Sequence, residues 1–369
     1  MQEHDVEKHH RDAELLIIGL GPSGSAALEA ARSVGALAIG LEPNPAPPNG
    51  GIVGCEYDAR VWGVFSEGTV AITTAEQTTC RAPGAIIIAT GAIDIPLPVP
   101  GWRLPGAMGA AHAARSLADG TGVVVLRGPH ARRDDRAPDL NGFKVIHDED
   151  LSDGRPVVIV GTDAVSGVRI GGSLVATAHV LLDNGLQTEN TLARMAGIPT
   201  TFSSSSGGDV IVPGRVFAVG GTLISVVGDA AGIGDERHTM VRDAAETAKT
   251  LAQAIKGGDI PRSIPSVQRD WDETGIPILP SQTTPETLVC PDEGVSIADI
   301  IDAIELGATT VNDVKWRTRA AMAECQGRDC LWTIRALLAA HHRSHATPMT
   351  ARPPATGIVL RDMAALARH

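Results

Sequence analysis

The feature that most constrains this chain lies in residues 15–42. A short apolar run, Leu15-Leu16-Ile17-Ile18, reads as a strand buried on both faces. It feeds Gly19-Leu20-Gly21-Pro22-Ser23-Gly24, and a helical pattern follows at Ser25–Ala31. A second strand, Leu37–Leu41, ends at the acid Glu42. This is a β-α-β unit with G-x-G-x-x-G at its first turn. Each position has a physical reason. Gly19 makes the tight turn, Gly21 lets backbone approach a pyrophosphate, and Gly24 lets the helix pack close to the strand. Pro22 and Ser23 open a helix whose N-terminal amides and dipole favour an anion. A carboxylate at the end of the second strand can hold ribose hydroxyls. The combination predicts a dinucleotide site.

Further along, Pro43–Gly50 is a turn-rich loop. Strands are expected at Arg60–Phe65, Thr69–Thr73 and Ala85–Ile88, the last running into Ala89-Thr90-Gly91. Apolar runs at Arg215–Val219 and Ile224–Val227 precede Gly228-Asp229-Ala230. Together these segments resemble the glutathione-reductase-type flavoproteins with two dinucleotide-binding domains. The resemblance implies an α/β Rossmann domain over 14–106 and 215–257. It implies that Gly19, Gly21, Pro22, Ser23 and Gly24 cradle an FAD pyrophosphate. Glu42 would bind the adenosine ribose, and Asp229, after Gly228, the flavin-side ribitol or phosphate. Ala89, Thr90 and Gly91 would form a close turn beside the cofactor, with Val61 in the same binding set.

The likeness narrows at Gly91–Gly106, Gly185–Pro199 and Ala351-Arg352-Pro353-Pro354. These segments are similar to the FAD-containing α subunits of octopine, nopaline and hydroxyproline dehydrogenases and of hydrogen cyanide synthase. The resemblance implies an electron-transfer flavoprotein subunit of a hetero-oligomeric amine or amino-acid dehydrogenase. A second FAD-containing subunit, with a possible further small subunit, would oxidise the amine. Two other readings stay open: a structural subunit that has lost catalysis, and a stand-alone FAD oxidoreductase. No residue in the sequence stands out as a substrate acid or base.

Such subunits carry a second nucleotide site in a middle domain, placed here at 107–214. The matching strand is Val123–Leu126, but Arg127-Gly128-Pro129-His130-Ala131-Arg132-Arg133 follows, with a single glycine. Bulky side chains there oppose a close pyrophosphate approach. The domain therefore reads as reduced, and NAD(P) is not expected. Val157–Val160, Gly167–Ile170 and Ser173–Val180 are the expected later strands. The charged run to Asp139 reads as a solvated loop.

Three of the five cysteines lie in 286–345. Cys290-Pro291-Asp292-Glu293-Gly294 opens the segment. Ser296 is the expected N-cap of a helix carrying Ile297, Ile300, Ile301 and Ile304 on one face. Thr310 is expected to cap a second helix through Met322. Cys325-Gln-Gly-Arg-Asp-Cys330 leads to a third with Leu331, Ile334, Leu337 and Leu338. The region resembles the helical [2Fe-2S] module of bacterioferritin-associated ferredoxin, whose pattern is C-x-C, a spacer, then C-x4-C. Asp292 stands at the second cysteine position. The resemblance implies Cys290, Cys325 and Cys330 as ligands, and two readings compete for the fourth. Either Asp292 ligates iron through a carboxylate oxygen, or the cluster is lost and the module persists as structure.

Composition closes other routes. Acidic residues outnumber basic ones 43 to 31, for a net charge of -12, and aromatics are 3%, so nucleic-acid binding is not expected. There is no membrane-length apolar run, and the polar arm 1–13 is no signal peptide, so a cytoplasmic setting is expected. Residues 258–285 read as a linker and 346–369 as a tail. Cys55 and Cys80 are too far apart in sequence to form a C-x4-C redox pair. His341-His342-x-x-His345 reads as a helix terminus, Ser203–Ser206 as a loop, and Trp102 and Trp316 as packing or interface residues.

Overall fold

A computed structural model describes residues 15–113, 122–131, 144–147, 156–203, 208–211, 216–234, 237–257, 283–342 and 347–366. The expectations for the arm 1–13, for Arg132–Asp139, for His345 and for most of the 258–285 linker lie outside them.

The chain begins with β1 (Leu15–Ile18), α1 (Pro22–Ser33), β2 (Ala38–Leu41) and β3 (Cys55–Glu56). An antiparallel meander follows, β4 (Arg60–Val64), β5 (Val70–Thr73) and β6 (Thr78–Arg81), and then β7 (Ala85–Ile88). The middle segment holds β8 (Ala92–Asp94), β9 (Ala107–Gly109), α2 (Ala110–Ala113), β10 (Val123–Arg127) and β11 (Lys144–His147). It continues with β12 (Val157–Gly161), β13 (Val165–Ile170), β14 (Ser173–Ala176), β15 (His179–Asp183), β16 (Leu186–Thr188), α3 (Thr191–Met195), β17 (Thr201–Ser203) and β18 (Gly208–Val210). The chain then returns through β19 (Phe217–Val219), β20 (Thr222–Val226) and α4 (Arg237–Ala254). The C-terminal part comprises β21 (Leu288–Cys290), β22 (Val295–Ser296), α5 (Ile297–Glu305), α6 (Val311–Thr318), α7 (Leu331–His342) and α8 (Leu360–Leu366).

The main sheet has the order β19-β20-β7-β1-β2-β3, parallel except at β19. Its apolar strands are buried on both faces. Leu15, Ile17, Ala85 and Ile87 pack under α1 and α4, whereas Leu16, Ile18, Ile86 and Ile88 face the meander and α3. The middle domain keeps a parallel sheet, β11-β10-β15-β9, beside an antiparallel one, β12-β13-β14. The strand expected over Ser173–Val180 divides in two. Thr177 breaks it by turning its hydroxyl to the carbonyls of Gly122 and His179, so β14 joins the antiparallel sheet and β15 the parallel one.

Two capping boxes start the C-terminal helices as read from sequence. Ser296 and Asp299 exchange hydrogen bonds at α5, and Thr310 and Asp313 do so at α6. Two details differ. Ile301 is exposed, because Ala303 takes its place on the buried face of α5. The second helix stops at Thr318 rather than Met322, since Arg319 and Ala321 adopt left-handed backbone. α7 is buried almost all round, from Trp332 to Ala339. One side joins the module core, and the other meets Phe202 and Asp209 of the middle segment. Trp102, a packing residue as expected, donates its indole N–H to the Leu288 carbonyl at 2.7 Å and ties the module to the middle domain. Among the described residues, no helix is long and apolar enough to cross a membrane.

Hydrogen bonds from Ser296 and from Thr310 and Thr309 hold the Asp299 and Asp313 carboxyls below their ordinary values. Groups depressed in the folded state stabilise it above their unfolded value of about 4 and lose that contribution as pH falls through the lower folded value. The module is therefore expected to weaken below about pH 4. The double change Asp299→Asn, Asp313→Asn should flatten that acid limb in circular-dichroism melts.

Candidate functional site

The first site forms at the carboxyl ends of the main-sheet strands. The Gly19 amide bonds to the Leu41 carbonyl at 2.8 Å, Ala89 to Ile18 at 2.8 Å, and Val227 to Ile88 at 3.0 Å. These bonds bring the turns at 19–24, 89–91 and 228–230 to one crevice, where open α/β sheets bind ligands. The three motif glycines differ in why they are glycine. Gly19 has φ +96°, and a Cβ there would lie 2.5 Å from the Ala89 oxygen. At Gly24 a Cβ would come within 1.9 Å of the Gly19 carbonyl oxygen, so the helix could not sit against the strand. At Gly21 a Cβ would meet no atom within 4 Å. No packing requirement explains that glycine, whereas an approaching pyrophosphate does. Gly21 is also the extended N-cap of α1, with no side-chain cap, Pro22 following, and no acid in the first turn. The residues thus fit a dinucleotide phosphate.

Around that turn the other expected residues assemble. The Glu42 carboxylate accepts from the Leu20 amide at 2.9 Å and the Asn44 side-chain amide at 2.6 Å, which fixes it at the strand end. Ser23 lies against Gly228, whose φ is +66°. Asp229 occupies the single 3-10 turn that follows β20. The Thr90 hydroxyl donates to the Glu189 carbonyl, and the Glu189 amide to the Gly91 carbonyl at 3.0 Å. Val61 pairs with Ile72 in the meander and packs on the core, two residues after Ala59, whose amide bonds to the Glu42 carbonyl at 3.0 Å.

The second site lies in the C-terminal module. Cys290 and Cys330 are buried, at 1% and 0% exposure, and share a thiol hydrogen bond. That bond pulls the Cys290 thiol down to about 6 and, with burial, pushes Cys330 well above the ordinary value. The Ala321 amide reaches both sulfurs. Burial raises Cys325, whose sulfur also receives the amides of Gly327 and Asp329. Asp292, Cys325 and Asp329 bring their ligand atoms within 4.8 Å of one another. Three sulfurs met by backbone amides, with carboxylates alongside, suit iron rather than a harder cation.

Asp329 and Arg103 were not apparent from sequence. Asp329 lies inside C-x4-C, where an acid beside two ligand cysteines is the available signal. Arg103 has none, being 226 positions away from Asp329. Its guanidinium donates to Asp329 at 2.9 Å and approaches Asp292 at 3.8 Å. Asp292 itself is exposed. Cys55 and Cys80 are free thiols on different strands, β3 and β6.

These sites on this fold define an oxidoreductase with a glutathione-reductase-type dinucleotide-binding domain and a C-terminal helical module. Residues 288–340 match the family described as a BFD-like [2Fe-2S] binding domain. The chain is 25% identical to an opine oxidase subunit from Agrobacterium tumefaciens (strain Ach5), covering 89% of this chain and 86% of that protein. It is 25% identical to the corresponding opine oxidase subunit from Rhizobium meliloti (strain 1021), covering 84% and 82%. Its fold is similar to L-proline dehydrogenase from P. horikoshii, with a TM-score of 0.71, 17% identity, and coverage of 95% of this chain and 79% of that one.

Gly24→Ala is expected to cost about 1–3 kcal/mol through overpacking against the Gly19 carbonyl. Gly21→Ala, with open space around it, should leave stability nearly unchanged. Urea midpoints of the two variants check the contrast.

Proposed function

We propose that this chain is the electron-transferring subunit of a hetero-oligomeric, FAD-dependent amine or amino-acid dehydrogenase or oxidase. One observation carries the reading: the two sites are tied together through a short run of side chains. Arg328, between Cys325 and Cys330, pairs with Glu189 at 3.2 Å, and Glu189 bonds through its backbone to Thr90 and Gly91 beside the dinucleotide crevice. A link of this kind holds the two sites at a fixed spacing, as a relay between two redox centres requires. Opine oxidase and L-proline dehydrogenase are names of enzymes that act on carbon–nitrogen bonds, and the opine oxidase relatives are by name one part of a larger enzyme. Both support the substrate class and a partner protein.

In this reading Gly19–Gly24 and the α1 N-terminus hold the FAD pyrophosphate, Glu42 the ribose, and Asp229 the flavin-side chain. Cys290, Cys330, Cys325 and Asp292 hold the cluster, and Arg103 offsets the negative charge of the Asp292 and Asp329 side. When bound, FAD exchanges electrons in pairs or singly and a [2Fe-2S] centre singly. The protein's part is to seat both groups, to shield the buried sulfurs from water, and to direct amides at them. Amine oxidation belongs to the partner.

NAD(P) has no place in this reading. At the end of β10, Arg127 pairs with Asp183 at 2.7 Å, and a Cβ at Gly128 would lie 2.4 Å from the Asn184 side chain. These contacts occupy the turn where a second glycine motif would stand.

A second reading, an iron-free module, is favoured by the exposure of Asp292 and its approach to Arg103. Co-expression with a partner protein separates the two. The complex should show flavin and iron–sulfur absorbance. Gly21→Val should remove the flavin held by this chain and lower amine oxidation by about 100-fold or more, some 2.7 kcal/mol. Full activity in Gly21→Val would reject the relay. Near-zero iron and sulfide in anaerobically prepared protein would reject the cluster, and Asp292→Cys should raise iron retention if the site is real.

A further inference from the structure

A cavity of about 290 Å³ opens between α3, α6, the loop before α7 and the segment Met349–Ala355. Three cations line it, Arg194, Lys315 and Arg352, and no Asp or Glu does among the described residues. That sign runs against a chain of net charge -12. Arg194 is the odd member of a local set. The acids nearest it electrostatically are Asp209 and Glu189, and each is already engaged by another arginine, Arg335 at 2.7 Å and Arg328 at 3.2 Å. Arg194 donates one N–H to the Met349 carbonyl at 3.1 Å, while its Nε is buried with no hydrogen-bond partner among the described residues. The Lys315 amine meets only the Met349 sulfur, at 3.4 Å, among the described residues. Burial and the neighbouring Arg352 lower the Lys315 pKa, and burial lowers that of Arg194. Like charges drawn together in a partly desolvated cleft are costly unless an anion completes them.

We propose that this cleft binds the phosphate group of a small phosphomonoester, with Arg194, Lys315 and Arg352 as its charge partners. Two planar guanidinium groups and one point-charge ammonium suit a dianion with several acceptor oxygens better than a single carboxylate. The cavity exceeds what a bare phosphate fills, leaving room for the rest of the molecule. Thr191, Asn312 and Gln326 add polar lining, and Trp316, 79% exposed, offers a flat apolar wall. The location gives the site a bearing on function. Thr191 is two residues from Glu189, and Gln326 is next to Cys325, so an occupant would lie between the dinucleotide crevice and the cysteine module. The motif Ala351-Arg352-Pro353-Pro354 forms one wall.

The test is calorimetric titration of the full chain, saturated with FAD, at constant ionic strength. The probes are inorganic phosphate, glycerol 2-phosphate, glycerol and acetate. Both phosphates should bind with one-to-one stoichiometry, and glycerol and acetate at least tenfold more weakly. Lys315→Gln and Arg352→Gln should each weaken phosphate at least tenfold without lowering the melting temperature. Gly21→Val, tested without FAD, should leave phosphate binding intact, which separates this cleft from the dinucleotide crevice and frees the result from the flavin reading. Acetate binding as tight as phosphate, unchanged affinity in both cation variants, or loss of binding in Gly21→Val would each overturn the proposal.

Discussion

The architecture depends on how closely one helix approaches one strand. Gly24 sits where any side chain would strike the Gly19 carbonyl, so α1 lies flush on β1 and its N-terminus points along the strand ends. Hydrogen bonds then carry the ladder one residue beyond each strand, from Ile18 to Ala89 and from Ile88 to Val227. The turns that follow β1, β7 and β20 are thereby drawn to one edge, although they come from distant parts of the sequence. The crevice is a by-product of that stacking. The surrounding loops contribute specific groups, such as the carboxylate of Glu42, to a place the sheet has already made.

A different physics joins the C-terminal module to the rest. Among the described residues, arginine–carboxylate pairs cross the boundary from Arg103 to Asp329 and Asp292, from Arg328 to Glu189, and from Arg335 to Asp209. Arg335 also lies over the Phe202 ring, 4.5 Å from its centroid. For the well-buried Arg335–Asp209 pair, desolvation offsets most of the attraction, and for the more exposed Arg103 and Arg328 pairs water screens it, so all serve unique orientation more than net stability. Apolar contact alone would allow the module to slide. Directional pairs and the Trp102 indole bond give it one seat, with the cysteine loop turned toward the Thr90–Gly91 turn.

Local chemistry was legible in the sequence, and contacts between remote segments were not. The glycine motif, Glu42 and the two capping boxes each depend on residues a few positions apart, and each is found where the pattern put it. The errors have the same origin. The helix read through Met322 ends earlier because Arg319 turns left-handed to start the loop that presents Cys325. The strand read over Ser173–Val180 splits because Thr177 answers a carbonyl 55 positions away. Ile301 looked buried because Ile297, Ile300 and Ile304 are, but it lies at the edge of that stripe and is partly exposed. Arg103 and Asp329 meet across 226 positions, a distance at which one sequence carries no pairing signal.

The seating of the module by Trp102, Arg103, Arg328 and Arg335 has a consequence for the spacing of the two cofactor sites. Each of these side chains joins the module to the rest of the fold directly. The gap between the sites is therefore a property of the docked faces, and a substitution at any of the four would alter that gap before it altered the lining of either site.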